Sequence, residues 1–160
     1  MRYLKGTIEF GLYYDRYYDY KLYGNMDLDW AGSSANRKRT LGGCYYLGSS
    51  MISWFSKKQS NFALSTVEVE YIATYSASSE SIWLRKLMSG LFDLELDTTV
   101  ILCHNQSCIK MTKNLVFHDK SKHIEIQNFY IRDMVQKGSI KLKYMSTNEQ
   151  VFDVLTKPLS

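Results

Sequence analysis

At 160 residues the chain is the size of one ordinary domain and is long enough to bury a real core. A hydrophobic content of 45% with a single proline, Pro158, excludes an intrinsically disordered chain, and a formal charge of +4 favours polyanionic partners without requiring them. Three cysteines, Cys44, Cys103 and Cys108, without C-x-x-C spacing argue against a disulfide scaffold and for a reducing compartment.

The opening "MRYLKGTIEFG" is neither a signal peptide nor a membrane anchor, and no later window could span a bilayer. The expected location is therefore the cytoplasm or the nucleus, with no targeting signal seen. Residues 1–19 are aromatic and polar, with five tyrosines in "GLYYDRYYDY", and read as an extended lead-in. A domain of residues 20–160 follows.

"YKLYGNMD" (20–27) reads as a strand ending in Asp27. Within 37–59, "GCYYLG" and "MISWFS" read as two further strands joined by the turn Gly48-Ser49-Ser50, which makes a three-stranded antiparallel meander. At "LSTVEVEYIATYSASSESIWLRKLMSGL" the period changes to that of a helix. Ser65 or Thr66 can cap it, acidic residues fill its first turn and Gly90 lies near its end. Spacings of three and four from Glu70 give Ala73, Ala77, Leu84, Leu87 and Leu91, a stripe whose small first members allow close approach to a sheet. Glu68 falls on another side of the helix, and Tyr71 and Trp83 read as core aromatics.

"TTVILC" (98–103) reads as a buried strand running into a short helix, "NQSCIKMTKN". An amphipathic helix over 122–138 ends in Gly138, a strand covers 139–146, and a last short helix over 148–157 is stopped by Pro158. The order is β-β-β-α-β-α-α-β-α.

The strings "DLDWAG", "RKRTLGG", "SWFSKKQ", "ALSTVEVEY", "KHIEI" and "VFDVLTKPL" resemble the ribonuclease H domain of copia-type LTR retrotransposon polyproteins, a family abundant in plants. "LKGT...GLYY" is similar to the stretch that joins reverse transcriptase to that domain. The resemblance runs along nearly the whole chain in the right order. It implies an α/β ribonuclease H-like fold: a mixed five-stranded sheet, three antiparallel strands first and parallel additions after, flanked by helices.

It also implies a two-metal endonuclease that cuts the RNA of an RNA–DNA hybrid, with four carboxylates holding Mg2+ or Mn2+. Asp27 matches the first carboxylate, Glu70 the one on the first helix and Asp153 the one on the last helix. The reading of Asp153 as an ordinary surface aspartate stays open. The third carboxylate belongs in a string like "C-D-N-Q-S-A-I", and here the string is "CHNQSCI", so His104 stands where an aspartate is expected. The exchange removes a negative charge and an oxygen ligand and offers a nitrogen, which suits zinc and to some extent manganese better than magnesium. Protonated His104 would oppose metal further. The metal is then weakly bound if at all, and loss of one ligand is expected to cost about a thousandfold or more in rate. Asp29, past the expected strand end, and Glu68 are poorly placed to compensate.

Arg37, Lys38, Arg39, Lys57 and Lys58, at expected strand edges and loops around Trp54, are candidates for phosphate contacts, with Asn105, Gln106 and His123 as further candidates for the hybrid. An ordinary solvated surface is the competing reading. Cys103, Cys108, His118 and His123 have the outer spacings of a zinc finger, but the middle gap of nine residues is short of the usual twelve. They are not read as a zinc site. Two functions follow: a ribonuclease H with lost or weakened activity, or a noncatalytic nucleic-acid-binding or protein-interaction module adopted by the host, whose protein partners the sequence does not indicate.

Overall fold

The computed structural model describes residues 5–6, 8–11, 13–15, 19–29, 40–58, 66–103, 106–113 and 122–146. At 27–29, 40, 58, 66–69, 107–108, 111, 113 and 122–124 it describes the backbone alone. The elements are β1 (Leu22–Asp29), β2 (Thr40–Leu47), β3 (Ser50–Lys58), α1 (Thr66–Phe92), β4 (Thr99–Cys103), α2 (Gln106–Lys113), α3 (Lys122–Gln136) and β5 (Ile140–Tyr144). They form the expected mixed sheet, in the order β3-β2-β1-β4-β5. The β1–β2 and β2–β3 pairs are antiparallel, and β1–β4 and β4–β5 are parallel. The expected closing helix over 148–157 lies outside the described residues.

β2 and β3 are joined by a two-residue hairpin. Leu47 pairs with Ser50, and Gly48 takes a φ of 60°, the left-handed conformation that such a turn demands at its first position. Ser50, expected in the turn, is therefore the first residue of β3. The preceding segment is tied to this hairpin: Tyr14 Oη donates to the Met51 carbonyl at 3.1 Å, Asp15 N–H to Ser49 Oγ at 3.1 Å, and Ser50 Oγ to the Tyr13 carbonyl.

Strand alternation sets which face is covered. Met26, Leu41, Ile101, Cys103, Ile140 and Leu142 join Tyr71, Ala73 and Ala77 of α1 and Ile131 of α3 in one buried cluster. Leu22, Tyr45, Leu84 and Leu96 form a second, smaller one. Tyr71 is thus the core aromatic expected, and Ala73 and Ala77 lie fully buried as the small-residue stripe requires.

The stripe fails at its far end, where Leu91 is 68% exposed, and Trp83 is 54% exposed rather than core. The reason is length. A helix of 27 residues is about 40 Å long, whereas an eight-residue strand spans roughly 26 Å, so the last turns of α1 overhang the sheet. Trp83 sits a step of about 100° round the helix from Leu84, off the stripe.

The two long helices also end differently. Gly90 stays inside α1, and Asp93 instead takes the left-handed turn at φ 50°. At the end of α3, Gly138 does so at φ 69°. Its N–H donates to the Val135 carbonyl and that of Ser139 to Met134, both at 3.0 Å, a two-bond cap for the last carbonyls.

Candidate active site

The crossover α1 makes the parallel β1–β4 pair possible and brings distant segments to one place. Met26 on β1, Tyr71 on α1 and Cys103 on β4 share the larger buried cluster. Asp27, Glu70 and His104 are their chain neighbours. Three of the four candidate ligand positions are therefore one residue from a common packed cluster, although they are far apart in sequence.

Asp27 is paired with Gly42 in the β1–β2 ladder, but β1 continues to Asp29, which pairs with Thr40. Asp27 is therefore inside the strand rather than at its end, and Asp29 is the last strand residue instead of lying beyond it. The antiparallel partner explains the extension: β2 begins at Thr40, earlier than its apolar string suggested, and supplies the ladder that holds β1 straight through Asp27. Glu70 is half-buried on α1 with its Oε2 shielded from solvent, and its backbone carbonyl accepts a 2.8 Å hydrogen bond from Thr74 Oγ1. β4 stops at Cys103, one residue short of His104. His104 and Asp153 themselves lie outside the described residues, as do Arg37, Lys38, Arg39 and Asn105.

Lys57 is exposed near the end of β3, paired with Leu41, and Lys58 ends that strand opposite Thr40. Both lie within a strand, where continued pairing with β2 carries the hairpin further than its apolar residues alone predicted. Gln106 is the exposed first residue of α2, and His123 is the second residue of α3, described by its backbone alone.

Asn25 was not singled out by sequence. It lies two residues before Asp27 on β1 with only 7% of its surface exposed, and its Oδ1 has no hydrogen-bond partner among the described residues. Successive odd positions of a strand share a face, so Asn25 and Asp27 belong to the same side of β1. A polar residue at an inner position of an otherwise apolar strand was the signal available. Opposite it, burial pushes the Cys44 thiol up to about 12, against hydrogen bonds from Tyr46 and Asn25 that lower it.

The zinc-finger spacing has no counterpart at Cys103. This side chain is buried in the main cluster and its thiol donates to the Lys143 carbonyl at 3.7 Å. Cys108, His118 and the side chain of His123 lie outside what is described. Among the described residues no three His, Cys, Asp or Glu side chains come together as a metal site, and no helix is long and apolar enough to cross a membrane.

The fold defines a ribonuclease H-like domain. LC11-RNase H1, solved in complex with an RNA/DNA hybrid, superposes with a TM-score of 0.60 over 85% of this chain and 94% of its own, at 11% identity. Its sequence relatives include Pol polyproteins of copia-type plant retrotransposons, and the chain is homologous to one segment of them. It is 38% identical, over all 160 residues, to the retrovirus-related Pol polyprotein from transposon RE2 of Arabidopsis thaliana. It is 40% identical over 157 residues to that from transposon TNT 1-94 of Nicotiana tabacum. The chain spans only 11% and 12% of those two relatives. No family model matches it.

Proposed function

We propose that residues 20–160 form a retrotransposon-derived ribonuclease H-like domain that binds RNA–DNA hybrid, behind a lead-in of residues 1–19, and that His104 weakens or abolishes its ancestral cleavage activity. The observation that carries this reading is the shared packing of Met26, Tyr71 and Cys103, which supports a common site for the adjacent Asp27, Glu70 and His104. Homology to plant Pol polyproteins along the whole chain supports the substrate class.

Asp27, Glu70 and Asp153 would hold divalent metal. Their three carboxylates are the hard oxygen donors that Mg2+ or Mn2+ takes, and the shielded Oε2 of Glu70 is the sort of desolvated acceptor a cation rewards. With a carboxylate replaced by an imidazole the set carries less negative charge, so divalent cations would be held more weakly. The chemistry that such ions supply when bound is activation of water and stabilisation of the leaving oxygen. The backbone of Asp27 is set by the central strand β1, and Glu70 sits half-buried on α1. Lys57, Lys58, Arg37 and Lys38 would meet phosphates, while Asn105, Gln106 and His123 would contact backbone or sugar.

The exchange at His104 is also compatible with a second reading, a noncatalytic nucleic-acid-binding or protein-interaction module adopted by the host. One experiment tests the site and the role of His104: cleavage of a labelled RNA–DNA hybrid in Mg2+ and then Mn2+ by this chain, by His104→Asp, and by His104→Asp/Asp27→Asn. A silent natural chain, an active single variant and a silent double variant support the site and the loss. A natural chain as active as the single variant, with Asp27 required, would show that the fourth carboxylate is dispensable here.

A further inference from the structure

β5 closes the sheet. β4 pairs with one of its edges, and no strand pairs with the other among the described residues. Strand edges left this way present a row of backbone donors and acceptors to any extended chain. Beside β5 on the helix side lies a groove of about 370 Å³, lined by the apolar Ile109 of α2, Val135 of α3 and Ile140 and Leu142 of β5, by Gly138, and by Thr98, Thr112 and Lys141 as its polar members. Thus one face of the strand borders a largely apolar slot.

The other face is basic. Lys141 and Lys143 alternate with Ile140 and Leu142 and are both exposed, followed by the half-exposed ring of Tyr144. The nearby Lys137 is engaged by Asp133 at 2.6 Å, whereas Lys141 and Lys143 are spaced along the strand that an added chain would follow. A strand added to β5 would place alternate residues over the groove and the intervening ones beside the two lysines.

We propose that the outer edge of β5 is a strand-addition site for a protein partner, taking an extended segment in which aliphatic and acidic residues alternate. The aliphatic residues fill the slot between β5, α2 and α3, and the carboxylates pair with Lys141 and Lys143. A nucleic acid would satisfy the lysines but would have no use for a slot lined by Ile109, Val135, Ile140 and Leu142. The proposal does not depend on the metal-binding reading.

The test is fluorescence anisotropy of the full chain with a labelled peptide of alternating Val and Glu, in EDTA so that metal plays no part. A peptide of the same composition with its Val and Glu in two separate blocks serves as the comparison. The expected result is saturable binding of the alternating peptide, weakened about tenfold or more by Lys141→Glu/Lys143→Glu and by blocking the sequence. Amide exchange at residues 140–144 should slow when the alternating peptide is added. Both substitutions are at exposed positions, so circular dichroism should show the variant folded. Equal binding of both peptides, or binding indifferent to the charge reversal, would overturn the proposal. So would a reversal that abolishes binding of an RNA–DNA hybrid while leaving the peptide unaffected, for that would make this face a nucleic-acid surface.

Discussion

Tyr45 and Gly24 lie opposite each other in the β1–β2 ladder, and the Tyr45 ring occupies the space a side chain at Gly24 would need. A Cβ there would stand 2.5 Å from Tyr45 Cε1, and the ring cannot simply withdraw because its hydroxyl donates to the Ala77 carbonyl at 2.6 Å. This contact joins β2 to α1 over β1. Gly24→Ala is expected to destabilise the fold by about 1–3 kcal/mol through overpacking. Tyr45→Phe should cost about 0.5–1.5 kcal/mol, the net worth of one hydrogen bond, since the Ala77 carbonyl still accepts from Ser81 Oγ at 2.9 Å. Urea denaturation of the two single variants and their combination checks both. A double variant with the summed loss would mean that the ring's tether does not set the cost of the alanine.

The two left-handed helix ends make opposite predictions. Gly138→Ala should lose about 1 kcal/mol, because an alanine is strained at φ 69°, whereas Asp93→Gly should gain several tenths to about 1 kcal/mol at φ 50°. Thermal denaturation should show the two shifts with opposite signs. A stabilising Gly138→Ala would contradict the cap described at the end of α3.

Arg85 clamps the entry to β4: its Nη2 donates to the Leu96 carbonyl at 2.7 Å, and its Nη1 to the Asp97 carbonyl and, at 3.3 Å, to Thr99 Oγ1. Replacement by Met keeps much of the side-chain stem but strands these acceptors, for an expected loss of about 1.5–3 kcal/mol. Amide exchange should quicken at Thr99–Cys103 more than in β2 and β3. Uniform quickening would argue that Arg85 has only a global effect.

Cys44 gives a pH signature. Its folded-state thiol is raised to about 12 by burial, whereas the ordinary value is 9.0, so the folded state resists ionisation. The stabilisation is fully present below pH 9 and is lost as pH rises from there through about 12. In a Cys108→Ser variant, a thiol reagent at pH 8 should react with the buried Cys44 and Cys103 only at the rate of opening or unfolding, and denaturant should expose both. Rapid stoichiometric labelling of the folded variant would contradict their burial.

Metal binding offers a readout of the proposed site independent of cleavage. Calorimetric titration with Mg2+ should show His104→Asp binding at least about tenfold more tightly than the natural chain, and Glu70→Gln in that background should reverse the gain. Equal affinity in all three would remove Glu70 and position 104 from the metal site.

The sequence by itself determined the order of the elements through Tyr144, the hairpin at Gly48, the end of α3 at Gly138 and the small-residue stripe through Ala73 and Ala77. These are local matters: alternation, helical period and the backbone freedom of glycine act within a few residues. The replacement at His104 was also legible, as a departure from a resembling string.

Only the tertiary structure decided that Met26, Tyr71 and Cys103 pack together, because their meeting depends on a crossover and parallel pairing between distant segments. It alone showed that β1 continues past Asp27, since strand length there is set by pairing with β2 and not by the residues of β1. It moved Leu91 to the surface because α1 is longer than the strands it covers, and Trp83 because it lies round the helix from the stripe that buries Leu84.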